Sequence, residues 1–190
     1  MRHDNWLMKR AQQTPEALAL VFEDRSWTFA ALYEDACRYL QALMSHTADL
    51  APRRMGILAN NSDDFYLIIL ALMQTDVEMV LLNTRLSPEE LQYQIQDAEI
   101  EVLIYEGPFT ETVSCLQQRV GSALLPLCLE ELRKQAQEMP VGSGFGNPTY
   151  DLDRVMSILY TSGTTGHPKG VMQTYGNHYA SALAGALNTG

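Results

Sequence analysis

"RMGILANNSDDFYLIILALMQTDVEMVLLN", Arg54 to Asn83, is the stretch that decides the fold. Its ends, "RMGILAN" and "VEMVLLN", are short apolar runs without polar alternation, the pattern of strands covered on both faces. Between them "SDDFYLIILALMQ" opens on Ser62, a helix-capping residue, followed by Asp63 and Asp64 where the helix dipole favours negative charge. The order continues in "SPEELQYQIQDA", with Ser87 as cap, Pro88 at the first helical position and Glu90 at the third, the sequence form of a capping box. "EVLIYE" is then a third buried strand. Strands separated by helices, with short connections, require crossovers and hence parallel pairing. The expected fold class is α/β, a mainly parallel sheet flanked by helices.

Upstream, Trp6, Leu7, Arg10 and Ala11 have helical spacing, "ALALVFE" reads as a strand, and Glu23-Asp24-Arg25 turns the chain into a second strand at Trp27. Thr28 caps an amphipathic helix carrying Leu32, Ala36, Tyr39, Leu40 and Leu43 on one face. Downstream, a helix is expected from Glu111 to Arg119, a strand in "ALLPLCL" and a polar helix in "EELRKQAQEM". "PVGSGFGNPTY", Pro140 to Tyr150, is rich in glycine and proline and reads as a linker. It divides the chain into an α/β subregion, 1–139, and a strand–loop–strand–helix unit, 151–190, that begins in "DRVMSILYT".

The 190 residues carry a net charge of −10, which argues against a nucleic-acid footprint, since neutralising phosphates takes clustered lysine and arginine. No apolar run approaches the ~18 residues of a membrane span, and the N-terminus lacks the apolar block and cleavage pattern of a secretory signal. A cytoplasmic location is expected. The three cysteines, Cys37, Cys115 and Cys128, lack metal-type spacing and are expected to be buried free thiols.

Against this apolar background stands "YTSGTTGHPKGV", Tyr160 to Val171. Gly163 and Gly166 let main-chain N–H groups converge on one point, and Thr161, Ser162, Thr164 and Thr165 add hydroxyl donors around it. Lys169 adds a mobile positive charge, and together these make a receptor for phosphate oxygens. A Walker loop would need the lysine directly after its glycine and before Ser or Thr; here His167-Pro168 intervene and Gly170-Val171 follow. The competing interpretation is a plain polar turn, because Ser, Thr and Gly are common in turns.

The same run resembles the glycine-rich phosphate loop of the acyl-adenylate-forming (AMP-binding) enzymes: acyl- and aryl-CoA ligases, peptide-synthetase adenylation domains and luciferases. "LLNTRLSPEEL" is similar to that family's segment after its second core strand, and "TFAALYEDACRYLQAL" to its early helix, so the resemblance runs along the whole chain in order. Within the family, "NWLMKRAQQTPEALALVFED", "LNTRLSPEELQYQI" and "TYGNHYASALAGALNTG" look most like the aryl-CoA ligases of menaquinone biosynthesis. The resemblance implies a ligase that activates a carboxylate with ATP and Mg²⁺ as an acyl-adenylate and passes the acyl group to CoA. It implies that Thr161, Ser162, Gly163, Thr164, Thr165, Gly166 and Lys169 hold the β- and γ-phosphates. A histidine near the place of His178 borders the acyl pocket in such enzymes, which makes His178 a substrate-side candidate. Read by itself, His178 is an exposed residue beside Asn177, a helix cap.

In that family the adenine and ribose contacts, the acidic Mg²⁺ ligand, most of the acyl pocket and the C-terminal domain with its catalytic lysine follow the phosphate loop. The resemblance therefore implies that these residues are the N-terminal part of the large domain, with no catalytic residue or metal ligand of their own and no activity alone. Surfaces built to be covered by later segments would leave apolar edges open to self-association. The alternative is a stand-alone nucleotide-binding or interaction module without catalysis.

Overall fold

The structure is a computed structural model that describes residues 1–140, 146–161 and 168–189. The capping signals at Thr28, Ser62 and Ser87 each form as a local hydrogen bond. The Thr28 hydroxyl accepts from Ala31 N–H at the start of α2 (Phe29–Thr47), and Ser62 accepts from Phe65 N–H at the start of α3 (Asp63–Leu72). Ser87 accepts from Glu90 N–H while the Glu90 carboxylate accepts from Ser87 N–H at 2.8 Å, closing the capping box of α4 (Pro88–Asp97).

These helices connect β4 (Arg54–Leu58), β5 (Glu78–Leu81) and β6 (Val102–Tyr105), which pair in parallel with β4 in the middle. The chain extends the sheet through α5 (Thr110–Val120) to β7 (Leu125–Cys128), parallel to β6, and returns along α6 (Leu129–Glu138). On the opposite side β9 (Val155–Thr161) joins in parallel beside β5, and β10 (Lys169–Thr174) turns back antiparallel at the edge. The order is β10-β9-β5-β4-β6-β7. The helix α7 (Tyr175–Thr189) follows β10.

Side-chain alternation sends the strand residues into two cores. Val102 and Ile104 of β6 point into a core with α2, α3 and α6, whereas Leu103 points into one with Leu91, Ile95, Val113 and Leu116 of α4 and α5. Gly56 lets these layers close: a Cβ there would lie 3.0 Å from Ile100 Cδ1 and 3.2 Å from Leu103 Cδ1.

The N-terminal segments pack outside α2: α1 (Trp6–Gln13) and the hairpin of β2 (Leu18–Phe22) with β3 (Arg25–Thr28). One pairing goes beyond the sequence expectation: β1 (Arg2–Asp4) runs antiparallel to β8 (Thr149–Asp151). This brings the first residues against the end of the glycine- and proline-rich segment, where Tyr150 is buried and stacks on Tyr175. Cys37, Cys115 and Cys128 form no disulfide, and only Cys37 is fully buried; the other two are half-buried, Cys115 on α5 and Cys128 at the end of the edge strand β7.

Candidate functional site

The strand β9 carries its residues out of the core in order. Met156, Ser157 and Ile158 are buried, Leu159 and Tyr160 half-buried, and Thr161 exposed. Because β9 is parallel to β4, β5 and β6, its end lies at the carboxyl edge of the sheet, where open α/β sheets bind their ligands. Antiparallel pairing sets Lys169 opposite Thr161, so both side chains leave the same face of the ladder. Lys169 is exposed and makes no ion pair with a described residue, which leaves its ammonium available to an incoming anion.

Of the residues expected to contact phosphate, the structure thus brings Thr161 and Lys169 together. Ser162, Gly163, Thr164, Thr165 and Gly166 lie outside the described residues, as does His167. Beside the β9 end, the turns after β4 and β5 form a cleft of ≈ 260 Å³ lined by Asn60, Asn61, Asn83 and Thr84, with Phe65 against it. The Glu106 carboxylate accepts from both the backbone N–H and the side-chain amide of Asn60, at 3.0 and 2.7 Å, which fixes the β4 turn to the β6 turn.

His178 is placed away from Thr161 and Lys169. Its Nε2 is 3.0 Å from Ser157 Oγ, and Ser157 lies four residues before Thr161 on β9. The side chain is half-buried, not exposed, because it reaches inward to that hydroxyl, and burial pushes its pKa below the ordinary histidine value. Asn177 is also not the first cap residue. The helix starts at Tyr175, with Asn177 Oδ1 accepting from Thr174 N–H at 2.8 Å and Thr174 Oγ1 accepting from Asn177 N–H at 3.1 Å.

Three side chains that the sequence reading missed hold the stem of the strand–loop–strand unit. The Tyr160 hydroxyl donates to Asp97 Oδ2 at 2.6 Å, and the Tyr93 hydroxyl donates to the Pro168 carbonyl at 3.4 Å. Burial first, and then the Asp97 carboxylate, push the Tyr160 pKa well up, so this hydroxyl remains a donor. The available signal was the spacing of Tyr93 and Asp97, four apart on one helix face.

Among the described residues no group of three or more His, Cys, Asp or Glu side chains is arranged to hold a metal ion, and no helix is long and apolar enough to cross a membrane. The donors that face the site, a hydroxyl and an ammonium, suit phosphate oxygens rather than a bare cation.

Residues 7–189 match the family model described as AMP-binding enzyme. The chain is 38% identical to 2-succinylbenzoate–CoA ligase of Bacillus velezensis over 98% of its own length and 36% of that protein. The corresponding ligase of Bacillus subtilis is 36% identical over 98% of this chain and 36% of its own length. The chain therefore spans about a third of the length of these curated relatives. Among solved structures it is similar to o-succinylbenzoate CoA synthetase from Bacillus subtilis in complex with its acyl-adenylate intermediate, with a TM-score of 0.86 and 34% identity over 100% of this chain and 47% of that one. The same enzyme in complex with ATP and magnesium ion gives a TM-score of 0.83 and 32% identity, over 99% of this chain and 48% of that one.

Proposed function

The chain belongs to the AMP-binding enzyme family, and on that premise we propose that it is the N-terminal, phosphate-gripping part of an ATP-dependent acid–thiol ligase acting on 2-succinylbenzoate and CoA. The observation that carries this is the pairing of Thr161 with Lys169 at the carboxyl edge of the sheet, on either side of the Ser162 to His167 run. In the whole ligase a substrate carboxylate oxygen attacks the α-phosphorus of ATP, the bond to the β-phosphate breaks, and pyrophosphate leaves with the electron pair. The CoA thiol then attacks the acyl carbon, and AMP leaves.

The part played by these residues is electrostatic. Lys169 offers its ammonium, and the hydroxyls of Thr161, Ser162, Thr164 and Thr165, with main-chain N–H groups at Gly163 and Gly166, offer donors to the β- and γ-phosphate oxygens on which charge accumulates. Mg²⁺, when bound, shares that charge, with its protein ligand supplied by the longer enzyme. His178 serves on the substrate side through its tie to Ser157. In this reading 1–139 and 151–190 are two parts of one large domain joined by 140–150; β9 lying against β5 supports a sheet shared by both. The reaction is placed in the cytoplasm, and the isolated chain is expected to self-associate through its exposed Val171, Met172, Leu183 and Leu187.

Two measurements test the reading. MgATP raises the melting temperature of the chain, because a ligand that binds only the folded form stabilises it; no shift at any concentration would sink the phosphate assignment. Carboxylate-dependent exchange of labelled pyrophosphate into ATP is absent with these residues alone, and finding it would show that the in-line geometry does not need the rest of the ligase.

A further inference from the structure

We propose that α4 is a clamp on both stems of the phosphate loop, with Tyr160, Asp97 and Tyr93 as positioning residues that set where Thr161 and Lys169 stand. The inference rests on the phosphate reading above and adds residues that this reading did not use. Thr161 and Lys169 form the last ladder pair of β9 and β10, at the exposed end of an edge strand. Such a pair frays unless something outside the ladder holds it.

What holds it here is one face of one helix. The residue before Thr161 is Tyr160, whose hydroxyl donates to Asp97 Oδ2 at 2.6 Å, a short hydrogen bond to a charged acceptor, and also lies 3.4 Å from the Gln94 carbonyl. The residue before Lys169 is Pro168, whose carbonyl accepts from Tyr93 at 3.4 Å. Tyr93 and Asp97 are four apart on α4, so they project from the same face, toward the two stems. The stems are also fitted to each other. Gly170 pairs with Tyr160, and a Cβ at Gly170 would lie 3.3 Å from Tyr160 Cζ and 3.1 Å from Ile158 Cγ2. The bare glycine therefore leaves room for the ring to lie in place with its hydroxyl on Asp97. A helix fixed by its own capping box thus sets both stems at once.

The clamp differs from a purely structural tie in what its loss changes. A structural tie lowers the melting temperature and leaves the folded protein's affinity alone; a positioning clamp lowers the affinity for phosphates. Calorimetric titration of MgATP into the full 190-residue chain, alongside thermal melts without ligand, separates the two. Asp97→Asn and Tyr160→Phe are expected to weaken MgATP binding about three- to tenfold and Tyr93→Phe about twofold, with melting temperatures within about 2 °C of wild type. Asp97→Glu, which restores a carboxylate, is expected to bind within about twofold of wild type.

If Lys169→Ala weakens binding but all three clamp variants bind as wild type does, the clamp is wrong and the phosphate reading stands. If Lys169→Ala binds as wild type does, or wild type binds no MgATP, both are wrong. Should Asp97→Asn fail to fold, Tyr93→Phe, which removes only one hydroxyl, decides the matter: wild-type affinity there overturns the clamp.

Discussion

The middle of the sheet and its β10–α7 end are built from similarly apolar sequence but are packed in opposite ways. Leu103 of β6 is 0% exposed, between helices α4 and α5 and the strand beside it, whereas Met172 of β10 is 59% and Leu187 of α7 84% exposed. The apolar side chains of residues 54–106 are mostly covered, by α2, α5 and α6 as well as by α3 and α4, while the segment after Lys169 turns part of its apolar surface outward. Stability is therefore concentrated in the strands that lead up to the site, and the far wall of the site is held mainly at its base. Tyr175, 1% exposed, marks that base: its hydroxyl donates to the Met73 carbonyl at 3.1 Å, and its ring lies against Tyr150.

The largest effect that could break this contrast comes from paired truncations. Leu103→Ala is expected to destabilise the chain by about 3–4 kcal/mol, and Leu187→Ala by less than about 0.5 kcal/mol, in urea unfolding. Equal losses would show that the two regions are packed alike. The contrast is sharpened inside α7, where Tyr175→Phe removes one buried hydrogen bond and leaves the Met73 carbonyl unpaired, costing about 1–2 kcal/mol although its helix is largely exposed. At the exposed start of α4, Ser87→Ala breaks the capping box and should cost about 1 kcal/mol.

The smallest effect is a pH slope from His178. Its pKa is lowered by burial, so the unfolded state binds more protons once the pH falls below the ordinary histidine value of about 6.5. The contribution of the neutral ring is present above that value and is lost as the pH falls toward the folded-state pKa. His178→Gln should flatten the stability profile on that acidic side; an unchanged slope would show that another group is responsible.

The legible parts of the molecule were those decided within a few residues. Thr28, Ser62 and Ser87 cap their helices because a hydroxyl needs to reach an N–H only three positions on, and the buried strands follow from uninterrupted apolar runs. The pairing of β1 with β8 was not legible, since "RHD" shows no alternation and its partner lies some 145 residues along the chain. The burial of His178 and the contact of Tyr160 with Asp97 depend on where β9 lies in the sheet, which spacing does not reveal. At the site, the residue types of "TSGTTG" and Lys169 are what raise the expectation of a phosphate ligand, and the structure adds the facing of Thr161 and Lys169 and the helix beneath their stems.

The central claim is that the Lys169 end of this strand–loop–strand unit grips phosphate. Its most direct test is calorimetric titration of MgATP into the wild-type chain and Lys169→Ala, both confirmed folded. The account predicts saturable binding to wild type and affinity lower by about tenfold or more without the ammonium. Equal affinities in the two proteins, or no binding to either, would contradict it.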